Sequence, residues 1–140
     1  MKENQSVSVD YFIKRLIKLC LRSGLSGFPK NDVDQHILLK SVVLTIGLSN
    51  TFSEKEIDEK LKYWIKHIGK IKNLDHTTLR RRLIDTGYLT RKSDGSSYQV
   101  NLSEPQGVRF EASVNGINIQ DIITTAQEEI ARRKKMYIGK

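Results

Sequence analysis

The chain is poor in the residues on which several classes of protein depend. It has one cysteine and two prolines among 140 residues, and aromatic residues make up 7% of the sequence. Because Cys20 is alone, no internal disulfide or multi-cysteine metal site can form, which excludes a disulfide-rich secreted fold and fits a reducing cytoplasm. Lys14, Arg15 and Lys18 interrupt the most apolar stretch, so we expect neither a membrane-spanning helix nor a secretory signal.

What the chain does have is enough apolar sequence for one folded domain with appendages, and an excess of positive charge. Hydrophobic residues make up 38% of the chain and charged residues 29%, which is typical of a globular protein. The 24 lysines and arginines exceed the 16 aspartates and glutamates, and the resulting net charge of +8 favours an anionic partner. Residues 62–92 hold nine of the basic residues and only two acidic ones, so most of the excess lies in one segment.

The first part of the chain carries the signals of two helices. Residues 11–22 combine a wide apolar arc with a polar stripe that includes Arg15, which predicts a helix covered from more than one side. After a turn rich in glycine and serine, a second helix is predicted to begin with Asn31 or Asp32 as its N-cap and to end at Gly47.

Two more helices follow, each with its own start and stop signals. Ser53 and Glu56 have the spacing of a capping box, and the helix that they begin is predicted to end at Gly69. Asp75 is predicted to cap the next helix, which Gly87 ends.

A hairpin comes next, because residues 88–92 and 97–100 alternate around an Asp94-Gly95 turn. Three helices followed by a hairpin is the order of a winged helix-turn-helix domain. We therefore predict an α+β, mostly helical fold with three parts. These are an N-terminal amphipathic helix (residues 1–24), a winged helix-turn-helix core (residues 25–102) and a C-terminal strand-helix arm (residues 103–140).

The arm is predicted from two periodicities. Apolar residues alternate from Val108 to Val114, Asn115-Gly116 is a turn signal, and residues 119–130 have helical spacing. One strand and one helix cannot bury much apolar surface alone. We expect the arm to pack on the N-terminal helix, either within one chain or across a dimer.

The third helix of the core carries the residues that could contact a nucleic acid. Leu79 and Leu83 mark its buried side. The side chains predicted to point away from that side are Thr78, Arg81, Arg82 and Asp85, with Thr77 on the flank. In a helix-turn-helix protein this surface enters the major groove, where arginine can bind guanine and threonine can bind a base or a phosphate. Phosphate contacts are predicted for Arg91 and Lys92 in the hairpin and for Lys66, Lys70 and Lys72 before the helix.

Arg80 is predicted to have a different role from its neighbours. It falls between Leu83 and Ile84, at the edge of the predicted core. We therefore expect a structural ion pair, with Glu56 as the partner and Asp85 as the other available carboxylate.

Several short blocks, in order along residues 25–100, carry a family resemblance. They are Gly27-Phe28-Pro29-Lys30, Asp34-x-His36-Ile37-Leu38-Leu39-Lys40, Phe52-Ser53-Glu54-Lys55-Glu56-Ile57-Asp58, Asp75-His76-Thr77-Thr78-Leu79-Arg80-Arg81-x-Leu83-Ile84-Asp85-x-Gly87-Tyr88-Leu89 and Asp94-Gly95-Ser96-x-Tyr98. Together they resemble the domain of unknown function 2087. The resemblance implies a bacterial protein of a family described as uncharacterised or as transcriptional regulators, with a winged-helix-like fold and no established ligand.

The sequence favours two functions. The first is a transcriptional regulator in the bacterial cytoplasm that binds duplex DNA; a homodimer would then match a palindromic site. The alternative is a protein-interaction module, in which exposed aromatic residues and the apolar N-terminal helix contact a protein partner. We expect no enzyme, metal or cofactor, because no phosphate-binding glycine loop or nucleophile motif is present. His36, His67 and His76 are expected to be packed, capping or solvated.

Overall fold

The computed structural model describes residues 5–48, 51–101 and 108–138, which form an α+β fold made mostly of helices. The elements in chain order are β1 (Gln5–Val7), α1 (Val9–Ile17), α2 (Asp32–Ile46), β2 (Thr51–Phe52), α3 (Glu54–Trp64), α4 (His76–Asp85), β3 (Leu89–Arg91), β4 (Tyr98–Val100), β5 (Val108–Phe110) and α5 (Ile119–Ile138). One π-helical turn extends α1 (Lys18–Arg22), another extends α3 (Ile65–Gly69), and a 3-10 turn (Ala112–Gly116) precedes α5. None of the helices in these ranges combines the length and apolar content that crossing a bilayer requires.

The helix boundaries that depend on local signals agree with the predictions. The Ser53 hydroxyl accepts the N–H of Glu56 at 3.1 Å, and the Glu56 carboxylate accepts the N–H of Ser53 at 2.9 Å, which completes the capping box. Asp75 caps α4 by accepting the N–H of Thr78 at 2.7 Å. Gly87 follows α4 with a φ of 87°, a backbone conformation that glycine adopts readily.

Helix α2 lies at the centre of the core, between α1, α3 and α5. It begins after the N-cap Asn31 and ends before Gly47, as predicted. The side chains that it buries point in most directions around its axis; they are Asp34, Ile37, Leu38, Leu39, Ser41, Val42, Val43 and Ile46. The other helices can therefore pack against α2 from several sides.

The indole of Trp64 joins α3 to α2. Trp64 is fully buried and donates its ring N–H to the hydroxyl of Ser41 at 2.9 Å. That hydroxyl donates in turn to the carbonyl of Leu38 at 2.6 Å, so both buried polar groups have partners. Gly69, at the end of the π turn, lies so close to the indole that a Cβ there would be 2.3 Å from Cη2 of the ring.

The three strands β2, β4 and β3 form an antiparallel sheet in that order. The predicted hairpin is present: Leu89 pairs with Val100, and Arg91 pairs with Tyr98. Its turn contains Gly95 with a φ of 76°, the positive value that such a turn needs. The short strand β2, just before α3, pairs with β4 and so connects the hairpin to the helices.

The two ends of the chain pack together within one chain. Strand β1, which the polar N-terminal sequence did not predict, pairs in parallel with β5, so that Val7 lies opposite Phe110. Helix α5 packs against α1 and α2. The predicted strand to Val114 is wrong beyond Phe110, because the N–H of Val114 bonds to the carbonyl of Glu111 and closes a 3-10 turn. The predicted boundary between residues 102 and 103 lies outside the described residues.

A partly buried ion pair joins α1 to α2. Arg15, which the sequence placed on a polar stripe, binds the carboxylate of Asp34 through two nitrogens, each at 2.7 Å. Asp34 is only 4% exposed. Two parallel hydrogen bonds to a planar carboxylate fix the orientation of both side chains, so this pair sets how α1 lies on α2.

Substitution of Gly69 tests the packing around Trp64. Gly69→Ala is expected to lower the free energy of unfolding by about 1 to 3 kcal/mol, because the added methyl meets the rigid indole. Gly27→Ala is the matched control, since nothing lies within 4 Å of a Cβ at Gly27. Chemical denaturation monitored by Trp64 fluorescence measures both variants. Equal stabilities of the two variants would contradict this account of the core.

Candidate nucleic-acid interface

Helix α4 is stabilised by the apolar side chains that it buries and by the N-cap at its start. Leu79 and Leu83 are fully buried, and the helix packs against α3 and β3. The N–H of Thr78 lowers the pKa of the Asp75 carboxyl that accepts it, so the cap is ionised at neutral pH. The cap thus closes the first turn of α4 and the buried leucines fix the helix in the core, while Thr77 and Thr78 are exposed.

The outer face of α4 carries most of the residues predicted there. Thr77, Thr78, Arg81 and Asp85 are all exposed, as the helical spacing from Leu79 predicts. Among the described residues, the side chain of Arg81 has no hydrogen bond, ion pair or ring contact. Its guanidinium group therefore keeps all five donors for solvent or a ligand.

Arg82 does not share this exposure. Its guanidinium carbon lies 4.6 Å from the centre of the Phe28 ring, in the loop between α1 and α2, and its side chain is partly buried. The Nε of Arg82 is buried and has no hydrogen-bond partner in the described part of the chain. The expectation that Arg82 points freely outward with Arg81 is therefore wrong, because the ring of Phe28 covers it.

Arg80 is used inside the structure. Its side chain is 18% exposed and is hydrogen-bonded to Asp58 of α3, while Glu54 lies 3.7 Å away. The guanidinium carbon also lies 5.9 Å from the centre of the Tyr98 ring in β4. The arginine therefore connects α4 to α3 and to the hairpin, which is the structural role predicted for it.

The predicted partner of Arg80, however, is wrong. Glu56 is occupied by its reciprocal bond to Ser53 in the capping box, and Asp85 is exposed on the outer face of α4. Glu54 and Asp58 are four residues apart, so they lie on the same face of α3, and this is the face that meets α4. That spacing was the signal in the sequence that could have identified them.

The hairpin brings one more arginine towards α4. The guanidinium carbon of Arg91 lies 6.0 Å from the centre of the Tyr98 ring, and its Nη2 would be 2.5 Å from a Cβ at Gly95. A concavity of about 250 Å³ lies between α4 and the hairpin. Its lining residues are Thr77, Arg80, Arg81, Ile84, Asp85 and Arg91. Two of its three arginines, Arg81 and Arg91, belong to the predicted site.

The predicted lysines lie outside this concavity. Lys70 ends the π turn after α3 in a left-handed conformation with a φ of 50°. The N–H of Lys72 donates to the carbonyl of Leu25 at 3.0 Å, so this segment lies beside the loop between α1 and α2. Lys92 is exposed in the hairpin, where its N–H bonds to the carbonyl of Ser97. Arg81 and Arg91 therefore lie together at the concavity, whereas the predicted lysines lie outside it.

The cysteine and two histidines are engaged in packing. Burial raises the pKa of Cys20 to about 12, so the thiol is protonated at neutral pH. His36 lies with its Nδ1 2.7 Å from the hydroxyl of Tyr88, and burial lowers the pKa of this histidine. The ring of His67 lies 4.7 Å from that of Tyr63. Among the described residues, no group of three or more His, Cys, Asp or Glu side chains is arranged to hold a metal ion.

Arg80 and Arg81 are expected to contribute differently to the stability of the fold. Arg80→Ala is expected to lower the free energy of unfolding by about 1 to 3 kcal/mol, because Asp58 loses its charged partner at a partly buried position. Arg81→Ala, which removes the same side chain one residue later, is expected to change it by less than about 0.5 kcal/mol. Urea denaturation of both variants tests this difference. A loss of equal size at the two positions would refute the structural role of Arg80.

The comparison with protein families gives one result. A family model described as an uncharacterised protein conserved in bacteria, the domain of unknown function 2087, matches residues 24–100. No curated protein and no solved structure matches the chain. The matched residues include α2, α3, α4 and the hairpin with the concavity, whereas α1, β5 and α5 lie outside them. The chain belongs to the domain of unknown function 2087 family.

Proposed function

We propose that the protein is a winged-helix transcriptional regulator that binds duplex DNA in the cytoplasm of a bacterial cell. The observation that carries this proposal is the concavity between α4 and the hairpin. There, Arg81 has no partner among the described residues and Arg91 lies at the opposite wall. An exposed helix N-terminus with two threonines, next to arginines, is suited to phosphate and base contacts.

The order and pairing of the elements support the winged-helix part of the proposal. Helices α2, α3 and α4 are followed by the β3–β4 hairpin, and the short β2 between α2 and α3 adds a third strand beside β4. In this interpretation α4 is the recognition helix and the hairpin is the wing. The same elements lie within residues 24–100, the part of the chain that the family model matches.

Each predicted residue has a role in the proposed complex. Thr77, Thr78 and Arg81 face the major groove, with Arg81 able to make a bidentate contact to guanine. Arg91 and Lys92 contact phosphates from the wing, at the other side of the concavity.

Arg82, Lys70 and Lys72 have lesser roles in the proposed complex. Stacking on Phe28 limits the reach of Arg82, so we assign it to a phosphate at the edge of the site. Lys70 and Lys72 are exposed beside the loop between α1 and α2, where they add charge around the site. The proposal gives the protein a binding role rather than a catalytic one.

Sequence selection from random duplex DNA, repeated at two salt concentrations, tests the proposal directly. We expect an enriched motif, and an affinity whose logarithm falls with the logarithm of salt by about 0.9 for each phosphate neutralised. Absence of duplex binding at low salt, or binding with no enriched motif at either concentration, would overturn the proposed function.

Variants of Arg81 and Arg91 then test the assigned roles. Arg81→Ala is expected to weaken binding to the selected motif by about 1 to 3 kcal/mol and to relax specificity. Arg91→Ala is expected to weaken binding to all sequences and to reduce the salt slope by about one. A double variant, Lys134→Ala with Lys135→Ala, is the control, since these exposed lysines lie on α5, which packs against α1 and α2. If this control loses as much affinity as Arg81→Ala, the charge acts without a defined site.

A protein-interaction module is the second candidate, and it is favoured by two exposed tyrosines. Tyr11 is 48% exposed and Tyr63 is 41% exposed, and tyrosine is enriched in protein interfaces. Recovery of one defined protein partner through Tyr63, together with weak and sequence-independent DNA binding, would favour this candidate over the first.

A further inference from the structure

An apolar groove lies between α1 and α5, away from the proposed DNA site. It has a volume of about 480 Å³, and its lining residues are Ile13, Ile17, Arg22, Asp121, Ile122, Thr125, Ala126, Glu129, Ile130 and Arg133. The groove lies wholly outside residues 24–100, the part of the chain that the family model matches. Its occupant is therefore a separate question from the function of the family domain.

The described side chains of α5 form two apolar sides, one buried in the core and one along the groove. Ile119 and Ile123 are buried in the core. Ile122, Ala126 and Ile130 are only partly buried and line the groove. A second apolar stripe on a surface helix is typical of an interface rather than of a free surface.

Charged residues of α5 line both ends of the groove. Glu129 lies towards the C-terminal end, in an ion pair with Arg133 of the same helix. Asp121 lies near the N-terminal end of the helix, and Arg133 lies near the C-terminal end. Twelve residues of α-helix separate them by roughly 18 Å. Alanine stands about halfway along this span, at position 126, where its small side chain allows another helix to approach closely.

We propose that the groove is filled by a second copy of this chain, with the two α5 helices packed antiparallel about a two-fold axis. The axis passes halfway between Asp121 and Arg133, so each Asp121 faces the Arg133 of the other copy. Ile122 and Ile130 of each copy then lie in the other's groove, beside Ile13 and Ile17 of α1. The same patch meets itself, as a two-fold interface requires.

Charge complementarity selects this occupant over others. A parallel second helix would place acid beside acid and base beside base. A peptide of one charge sign would be repelled at one end of the groove. A nucleic acid would make no apolar contacts with the isoleucines that line it. Antiparallel self-association is the arrangement in which both ends find opposite charges.

The pairing of Arg133 within its own helix does not prevent this contact. Arg133 lies 3.2 Å from Glu129, one turn earlier, but both side chains are well exposed, at 68% and 41%. Exposed pairs of this kind contribute little to stability. Arg133 can therefore turn to Asp121 of the second copy at little cost.

Charge-reversal variants, alone and mixed, test the proposal. Sedimentation velocity across a concentration series measures their dimer dissociation constants. Asp121→Arg alone and Arg133→Asp alone are each expected to raise the dimer dissociation constant by about tenfold or more, because each creates two like-charge contacts. An equimolar mixture of the two variants is expected to regain dimers, since the mixed pair restores an opposite charge at both contacts. Circular dichroism of each variant verifies that the helices are intact.

Two matched variants of α5 serve as controls. Glu128→Arg and Lys134→Asp make the same charge changes at exposed positions that do not line the groove, and are expected to leave the dissociation constant within about twofold of the original. A chain that stays monomeric at its highest soluble concentration would overturn the proposal. So would charge reversals that act no more strongly than their controls, or a mixture that does not regain dimers. None of these outcomes bears on DNA binding by α4, which is measured separately.

Discussion

The position of α4 depends on the way in which Trp64 is packed. The indole is fully buried, bonds to Ser41 of α2, and has Gly69 against its ring, so α2, the end of α3 and the π turn that extends α3 meet at one rigid side chain. Because Gly69 ends the π turn after α3, its close approach sets the point from which the chain leaves for α4. A larger residue at this position would move the start of the connection. The core therefore determines where the first turn of α4 is presented.

Ionic contacts then fix α4 to its neighbours. Arg80 reaches Asp58 and Glu54 on α3, and it lies over the ring of Tyr98, whose hydroxyl donates to Glu54 at 3.2 Å. Burial raises the pKa of Tyr98, so the phenol stays protonated and remains a donor at neutral pH. These contacts connect α3, α4 and the hairpin. In the proposed complex, the recognition helix and the wing would consequently approach DNA as one unit, with little ordering left to occur on binding.

Local signals in the sequence predicted more of this structure than long-range ones did. The capping box at Ser53, the cap at Asp75, the stop at Gly87 and the hairpin turn depend on residues a few positions apart, and all were predicted. The pairing of β1 with β5 joins residues about a hundred positions apart, and neither strand carries a marker for the other. The bond between Arg15 and Asp34 joins residues 19 positions apart, and neither residue carries a marker for the other. For Arg80, burial could be predicted from helical spacing, but the spacing of Glu54 and Asp58 identifies them as its partners only once the face of α3 that meets α4 is known.

The three consecutive arginines of α4 show why a basic segment cannot be interpreted from its charge alone. Successive side chains on a helix point about 100° apart, so Arg80, Arg81 and Arg82 meet three different surroundings. Arg80 is bound to acids of α3, Arg82 is stacked on Phe28, and Arg81 alone is free among the described residues. Two of the three charges are thus committed to the fold or partly covered by it. In the proposed complex, specificity would have to come from Arg81 with Thr77 and Thr78, while Arg91 and the surrounding lysines supply attraction that does not depend on sequence.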